Sequence, residues 1–148
     1  MEKVMTASSE ILAKLYKNEK MGADSIEKLI TKTSDGDFKE KLQAQKNGYD
    51  EYASKVKALL CKNGEMAKEE APMTKFWASV GIAMNTMIDA SSSHLAEMVI
   101  EGSTMGITDT TKVINEYEND PECREAVELA RKIVKFEQDN IEIMKKYL

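Results

Sequence analysis

The sequence predicts an all-α protein, an antiparallel four-helix bundle in up-down-up-down order. Three observations carry that reading. Apolar residues recur at helical spacing almost throughout, with no strand-like alternation. Cap and turn signals divide the 148 residues into four long amphipathic segments. Only two prolines interrupt a chain that is 42% hydrophobic and 32% charged, a mix suited to helices packed in water. A single domain over residues 1–148 is long enough to bury a core.

The first helix is expected from about Val4 to Thr31, with Leu12, Leu15, Ile26, Leu29 and Ile30 on one face. "TSDGD" reads as a turn. Asp37 then caps the second helix, with Glu40 three residues on in a capping-box arrangement. Its stripe is Phe38, Leu42, Tyr49, Tyr52, Val56 and Leu59, and Gly64 suits the left-handed position after its end. Pro72 and Thr74 open the third helix, whose stripe runs through Trp77, Val80, Met84, Met87, Ser91, His94, Leu95 and Met98. Asp120 and Pro121 start the last helix, where Val127, Ala130, Ile133, Val134, Ile141, Met144 and Leu148 face inward. The connections left between these segments are too short for a crossover, so strict alternation is expected.

One irregularity is expected. The third stripe keeps its direction from Trp77 to Met105, but Val113, Ile114 and Tyr117 lie about 100° away from it. An unbroken helix from Thr74 to Glu118 would be about 67 Å long, against about 40 Å for its neighbours. A kink, π-bulge or break near residues 101–108, around Gly102 and Gly106, would restore both register and length.

Composition excludes several classes of function. The net charge is −5 and the lysines are interleaved with glutamates, so no basic face for nucleic acid forms. No apolar run reaches the roughly 20 residues of a membrane span. "MEKVMTASSE" has no apolar signal region, which predicts a cytoplasmic protein. Ten methionines point to a core filled by flexible side chains. Cys61 and Cys123 fall at helix ends that strict alternation puts at opposite poles, so no disulfide is expected. Ser91 is one turn from His94, but no oxyanion-hole loop accompanies them, and no phosphate-cradling glycine loop is present. No catalytic residue is assigned.

The helical phase also places polar side chains on buried stripes. These are Glu19 on the first helix, Gln45 beside Tyr49 on the second, Ser91, His94 and Glu101 on the third, and Glu137 on the fourth. Glu97 points more sideways. Counting about 1.5 Å per residue from the loops puts most of them within a turn or two of mid-bundle. One reading is a metal site with Glu19, His94, Glu101 and Glu137 as ligands for iron or manganese, because di-metal centres in bundles are built from inward carboxylates and imidazoles. Gln45, Tyr49, Ser91, Glu97 and Asn140 would then surround the ligands. The other reading is a buried polar layer that satisfies itself by hydrogen bonds and fixes helix register.

The stretches "SSSHLAEMVIEGSTMGITDTTKVINEYE", "LARKIVKFEQDNIEIMKKYL" and "LYKNEKMGADSIEKLI" resemble an uncharacterised family of bacterial ferritin-like domains. The resemblance covers most of the chain, and "HLAEM" with "EGSTMG" is its most specific part. It implies a ferritin-like four-helix bundle. Metal-binding members of the wider superfamily oxidise or store iron, or handle peroxide and oxygen. By that resemblance, ligands map onto Glu19 and Glu137. Gln45 stands where a second-helix glutamate is expected, and Asn140 where a fourth-helix histidine is expected. The first functional expectation is a non-enzymatic structural, stress-related or interaction protein. The second is a divergent metal-binding oxidase or metal-handling bundle. A third is a homodimer joined through an exposed methionine such as Met21.

Overall fold

The computed structural model describes residues 5–66 and 87–148. It forms an all-α four-helix bundle: α1 (Ala7–Ile30), α2 (Gly36–Lys62), α3 (Ser92–Tyr117) and α4 (Arg124–Lys145), the last preceded by a 3₁₀ turn at Pro121–Cys123. The described residues contain no strand.

Side chains fix where the helices begin. The Thr6 hydroxyl accepts from the Ser9 N–H at 3.1 Å and starts α1. Removing it in Thr6→Ala should lower stability by about 1 kcal/mol, read as a lower urea midpoint at unchanged slope. Asp35, not Asp37, caps α2, and its carboxylate accepts from the Phe38 N–H at 3.2 Å. Asp37 lies in the first turn, where it accepts from the hydroxyl of Tyr147, just beyond the end of α4, instead. Gly64, at φ 78°, lets α2 end in paired reverse bonds, Gly64 N–H to Cys61 O and Glu65 N–H to Leu60 O. Asp120 and Pro121 start the last segment as expected, with Asp120 accepting from the Glu122 N–H.

α3 departs most from the sequence reading. It begins at Ser92, with Ser91 as its cap accepting from the His94 N–H at 3.2 Å. Ser91 therefore lies outside the helix rather than on its buried stripe. Thr74, Trp77, Val80 and Met84 lie outside the described residues. From Ser92 to Tyr117, α3 is one α-helix running through Gly102 and Gly106 without break or bulge. The phase slip disappears once α3 is phased from its own start. Leu95, Val99, the Gly102–Ser103 pair, Gly106, Thr110 and Ile114 recur every three or four residues along one face, and small residues make up its middle.

The bundle core is two apolar clusters, one towards each pole. Leu12 and Leu15 of α1 meet Val56 and Leu60 of α2, Ile114 of α3, and Ala126 and Ile133 of α4 at the first pole. Ile26 and Leu29 of α1 meet Phe38 and Leu42 of α2, Leu95 and Val99 of α3, and Met144 of α4 at the second. α1 and α4 therefore run one way, and α2 and α3 the other. α1 packs closely on α2 and α3 on α4, while α1–α3 and α2–α4 are the thinner seams. The up-down-up-down alternation holds around the ring, in the order α1, α2, α4, α3. Along the chain, α3 starts at the pole where α2 also starts, and the Ser92 hydroxyl donates to Asp35 at 2.8 Å there. α2 thus ends at the first pole and α3 begins at the second. Both cysteines consequently lie at the first pole, not at opposite poles, as free thiols, Cys61 exposed and Cys123 buried.

No helix among the described residues is long and apolar enough to cross a membrane. Met21 is half-buried, and the large apolar side chains left exposed are Met66, Ile88, Met105 and Leu148.

Candidate functional site

Every helix contributes a polar side chain to the interior. Glu19 (α1), Gln45 and Tyr49 (α2), Ser103 (α3), and Glu137 and Asn140 (α4) are each at most 4% exposed. The Tyr49 hydroxyl donates to Glu137 Oε1 at 3.2 Å across the α2–α4 seam. With α2 and α4 antiparallel, that contact sets Gln45 and Asn140 level with one another, one turn nearer the second pole. Two glycines make the room. A Cβ at Gly22 would lie 2.6 Å from the Tyr49 ring, and a Cβ at Gly106 would lie 2.3 Å from Glu137 Oε1. The Tyr49 ring therefore lies against the α1 backbone and the Glu137 carboxylate against that of α3.

The band leaves many polar atoms unanswered. Glu19 Oε2, both amide atoms of Gln45, Ser103 Oγ, Glu137 Oε2 and Asn140 Nδ2 are buried without a hydrogen-bond partner. Native interiors seldom leave such groups unpaired, and each costs about 1–3 kcal/mol when it is. Among the described residues, no lysine, arginine or histidine is buried to neutralise the carboxylates.

Burial therefore dominates the electrostatics. It pushes the Glu19 carboxyl well above the usual carboxylate range, and repulsion from Glu137 adds to the rise. Burial raises Glu137 to about 8; the Tyr49 hydrogen bond opposes this and the charge of Asp109 reinforces it. Tyr49 is raised too, by burial and then by the negative charges of Glu137 and Glu19. The Ser103 hydroxyl lies close enough to the phenol to oppose that rise, without hydrogen-bond geometry.

Of the four ligands expected from the sequence, the structure brings together Glu19 and Glu137. His94 and Glu101 are elsewhere. The His94 side chain is 40% exposed in the first turn of α3, where Nδ1 lies 3.9 Å from Glu97 of the same helix. Glu101 is exposed, and so is Glu97. The physical reason is the phase of α3: with Leu95, Val99 and Ser103 turned inward, positions 94, 97 and 101 turn towards solvent. Among the described residues, no three His, Cys, Asp or Glu side chains are grouped as they would be to hold a metal ion. Gln45, Tyr49 and Asn140 are buried where expected. Sequence reasoning missed Ser103, and it singled out Gly106 without pairing it with Glu137. Their signal was present in the spacing Val99, Ser103, Gly106, Thr110, once small residues are admitted to a buried stripe.

No protein family, curated protein or solved structure matches this chain.

Proposed function

We propose that this protein is a non-catalytic, ferritin-like bundle that holds one hard divalent cation, manganese(II) or iron(II), between Glu19 and Glu137. One observation carries the proposal: the buried carboxyls of Glu19 and Glu137, from α1 and α4, oppose each other's ionisation, each has an oxygen without a partner, and among the described residues no lysine, arginine or histidine is buried to answer them. A divalent ion would supply that missing charge. The neighbouring donors are amides and hydroxyls, an all-oxygen set of the kind that suits hard cations rather than a thiolate- or imidazole-rich site. With α2 ending at one pole and α3 beginning at the other, the helix directions suit the ferritin-like assignment, because ferritin-like folds contain one crossover. The absence of an inward histidine argues against the paired Glu-x-x-His arrangement of di-iron oxidases.

Protein purified without chelator or histidine tag should bind Mn²⁺ in equimolar amount by titration calorimetry and elemental analysis. Glu137→Gln should abolish binding, and His94→Ala should leave it intact. Because burial raises both carboxyls, binding competes with protons, and affinity should rise with pH. No bound metal, or loss in His94→Ala alone, would overturn the proposal.

A second reading is favoured by the raised carboxyl pKa values. Neutral carboxyls can donate as well as accept, so Glu19 and Glu137 with buried water could satisfy Gln45 and Asn140 in a layer that sets helix register. The same titration separates the two.

A further inference from the structure

We infer that the α1–α3 seam is the access route to the polar band, and that it admits only water-sized species. The inference rests on the cation reading above. α1 packs closely on α2 and α3 on α4, so the two thinner seams are where access is sought. The α2–α4 seam is plugged. The Phe136 ring sits against Gly48, where a Cβ would come within 2.3 Å of it, and packs edge-on against Tyr49 at 5.0 Å and tilted against Tyr52 at 5.3 Å. The α1–α3 seam instead carries a narrow cleft. Gly22, Ser25, Met98, Gly102, Ser103 and Tyr49 are among the residues that line it.

Tyr49 and Ser103 of that lining belong to the polar band, so the cleft reaches the edge of the band. The Ser103 hydroxyl is 2% exposed, has no hydrogen-bond partner and lines this space. Its free volume is about 20 Å³, enough for one water and too small for an organic ligand. Small residues on both helices keep it open, while Met98 and Val99 narrow it. The species that fits is an ion shedding its water, with Ser103 as the first polar contact inside and Tyr49 and Glu137 beyond it.

The test uses loading and release of Mn²⁺ by the full chain, with excess chelator to time release. Ser25→Leu narrows the cleft from α1, and Met98→Ala widens it from α3. A gate changes both rates without changing the equilibrium it separates, so loading and release should each slow on the order of tenfold in Ser25→Leu and quicken in Met98→Ala, with affinity unchanged. Wild-type rates in both variants would overturn the route. A changed affinity that accounts for the changed rates would also overturn it, because those residues would then shape the bound state. If the wild type binds no Mn²⁺, the cation reading itself fails and the route fails with it.

Discussion

Metal-free protein should lose several kcal/mol of stability between about pH 5 and pH 8.5, and amide replacements at Glu19 and Glu137 should remove most of that loss. The cause is the raised pKa of the two buried carboxyls. Glu137 titrates near 4.5 in an unfolded chain and at about 8 in the bundle, and Glu19 is raised in the same direction. Between those limits the folded state holds protons that the unfolded state has released. Each such proton makes folding less favourable by about 1.4 kcal/mol per pH unit. The stabilisation is complete below the unfolded pKa and is lost as pH rises through the folded one. Urea titrations of chelator-treated protein at several pH values would measure it. Glu19→Gln with Glu137→Gln should give a nearly flat profile and a more stable bundle at pH 8.5. A wild-type profile as flat as that of the double variant would mean that both carboxyls are ionised and hydrated in the fold. Saturating Mn²⁺ should flatten the slope in the wild type, because the ion keeps the pair ionised in the fold as it already is in the unfolded chain.

The residues behind that behaviour were legible in the sequence to different degrees. Glu19, Gln45, Tyr49 and Glu137 interrupt apolar stripes on helices whose ends are marked by caps and turns, so their phase was secure. Asn140 is one turn from Glu137 and shares its face. On α3 the phase was set by Trp77, Met84 and Met87, which precede the cap at Ser91 rather than belonging to the same helix. Carrying that phase forward turned His94 and Glu101 inward and made Val113 and Ile114 look displaced. The inward line through Gly102, Ser103, Gly106 and Thr110 was hidden because its members are small or polar, and hydrophobic periodicity cannot weigh a glycine that faces inward for its lack of a side chain. The direction of α3 was missed for the same reason: its start lies at Ser92, beside Asp35 at the start of α2.

Bulky or charged side chains are therefore only half of the site. Glu137 is buried against a helix that gives way to it, and Tyr49 against another. Both are held by backbone proximity as well as by their mutual hydrogen bond. The glycines on α1 and α3 set how deeply the polar groups of α2 and α4 can enter the core. The polar band is thus a property of facing pairs, and either member of a pair should control it.

Gly106→Ala makes that dependence measurable, because two effects of opposite sign compete there. Within a helix, alanine is favoured over glycine by about 1 kcal/mol, so propensity alone predicts a more stable protein. The new Cβ, however, would lie 2.3 Å from Glu137 Oε1 and 2.7 Å from Oε2. Glu137 is 4% exposed and its other neighbours are packed, so the carboxylate cannot swing into open solvent. Overpacking of this kind costs about 1–3 kcal/mol, and the displaced carboxylate would also lose the Tyr49 hydrogen bond, worth about another 1 kcal/mol or more. The expected net result is destabilisation by about 1–3 kcal/mol, together with loss of Mn²⁺ binding. The sign should reverse when Glu137 is trimmed. In a Glu137→Ala background the collision is gone, and Gly106→Ala should stabilise by up to about 1 kcal/mol. A double-mutant cycle by urea denaturation would show the coupling. If Gly106→Ala raised stability equally in both backgrounds, Glu137 would not be pressed against α3, and the buried carboxylate pair would lose its structural basis.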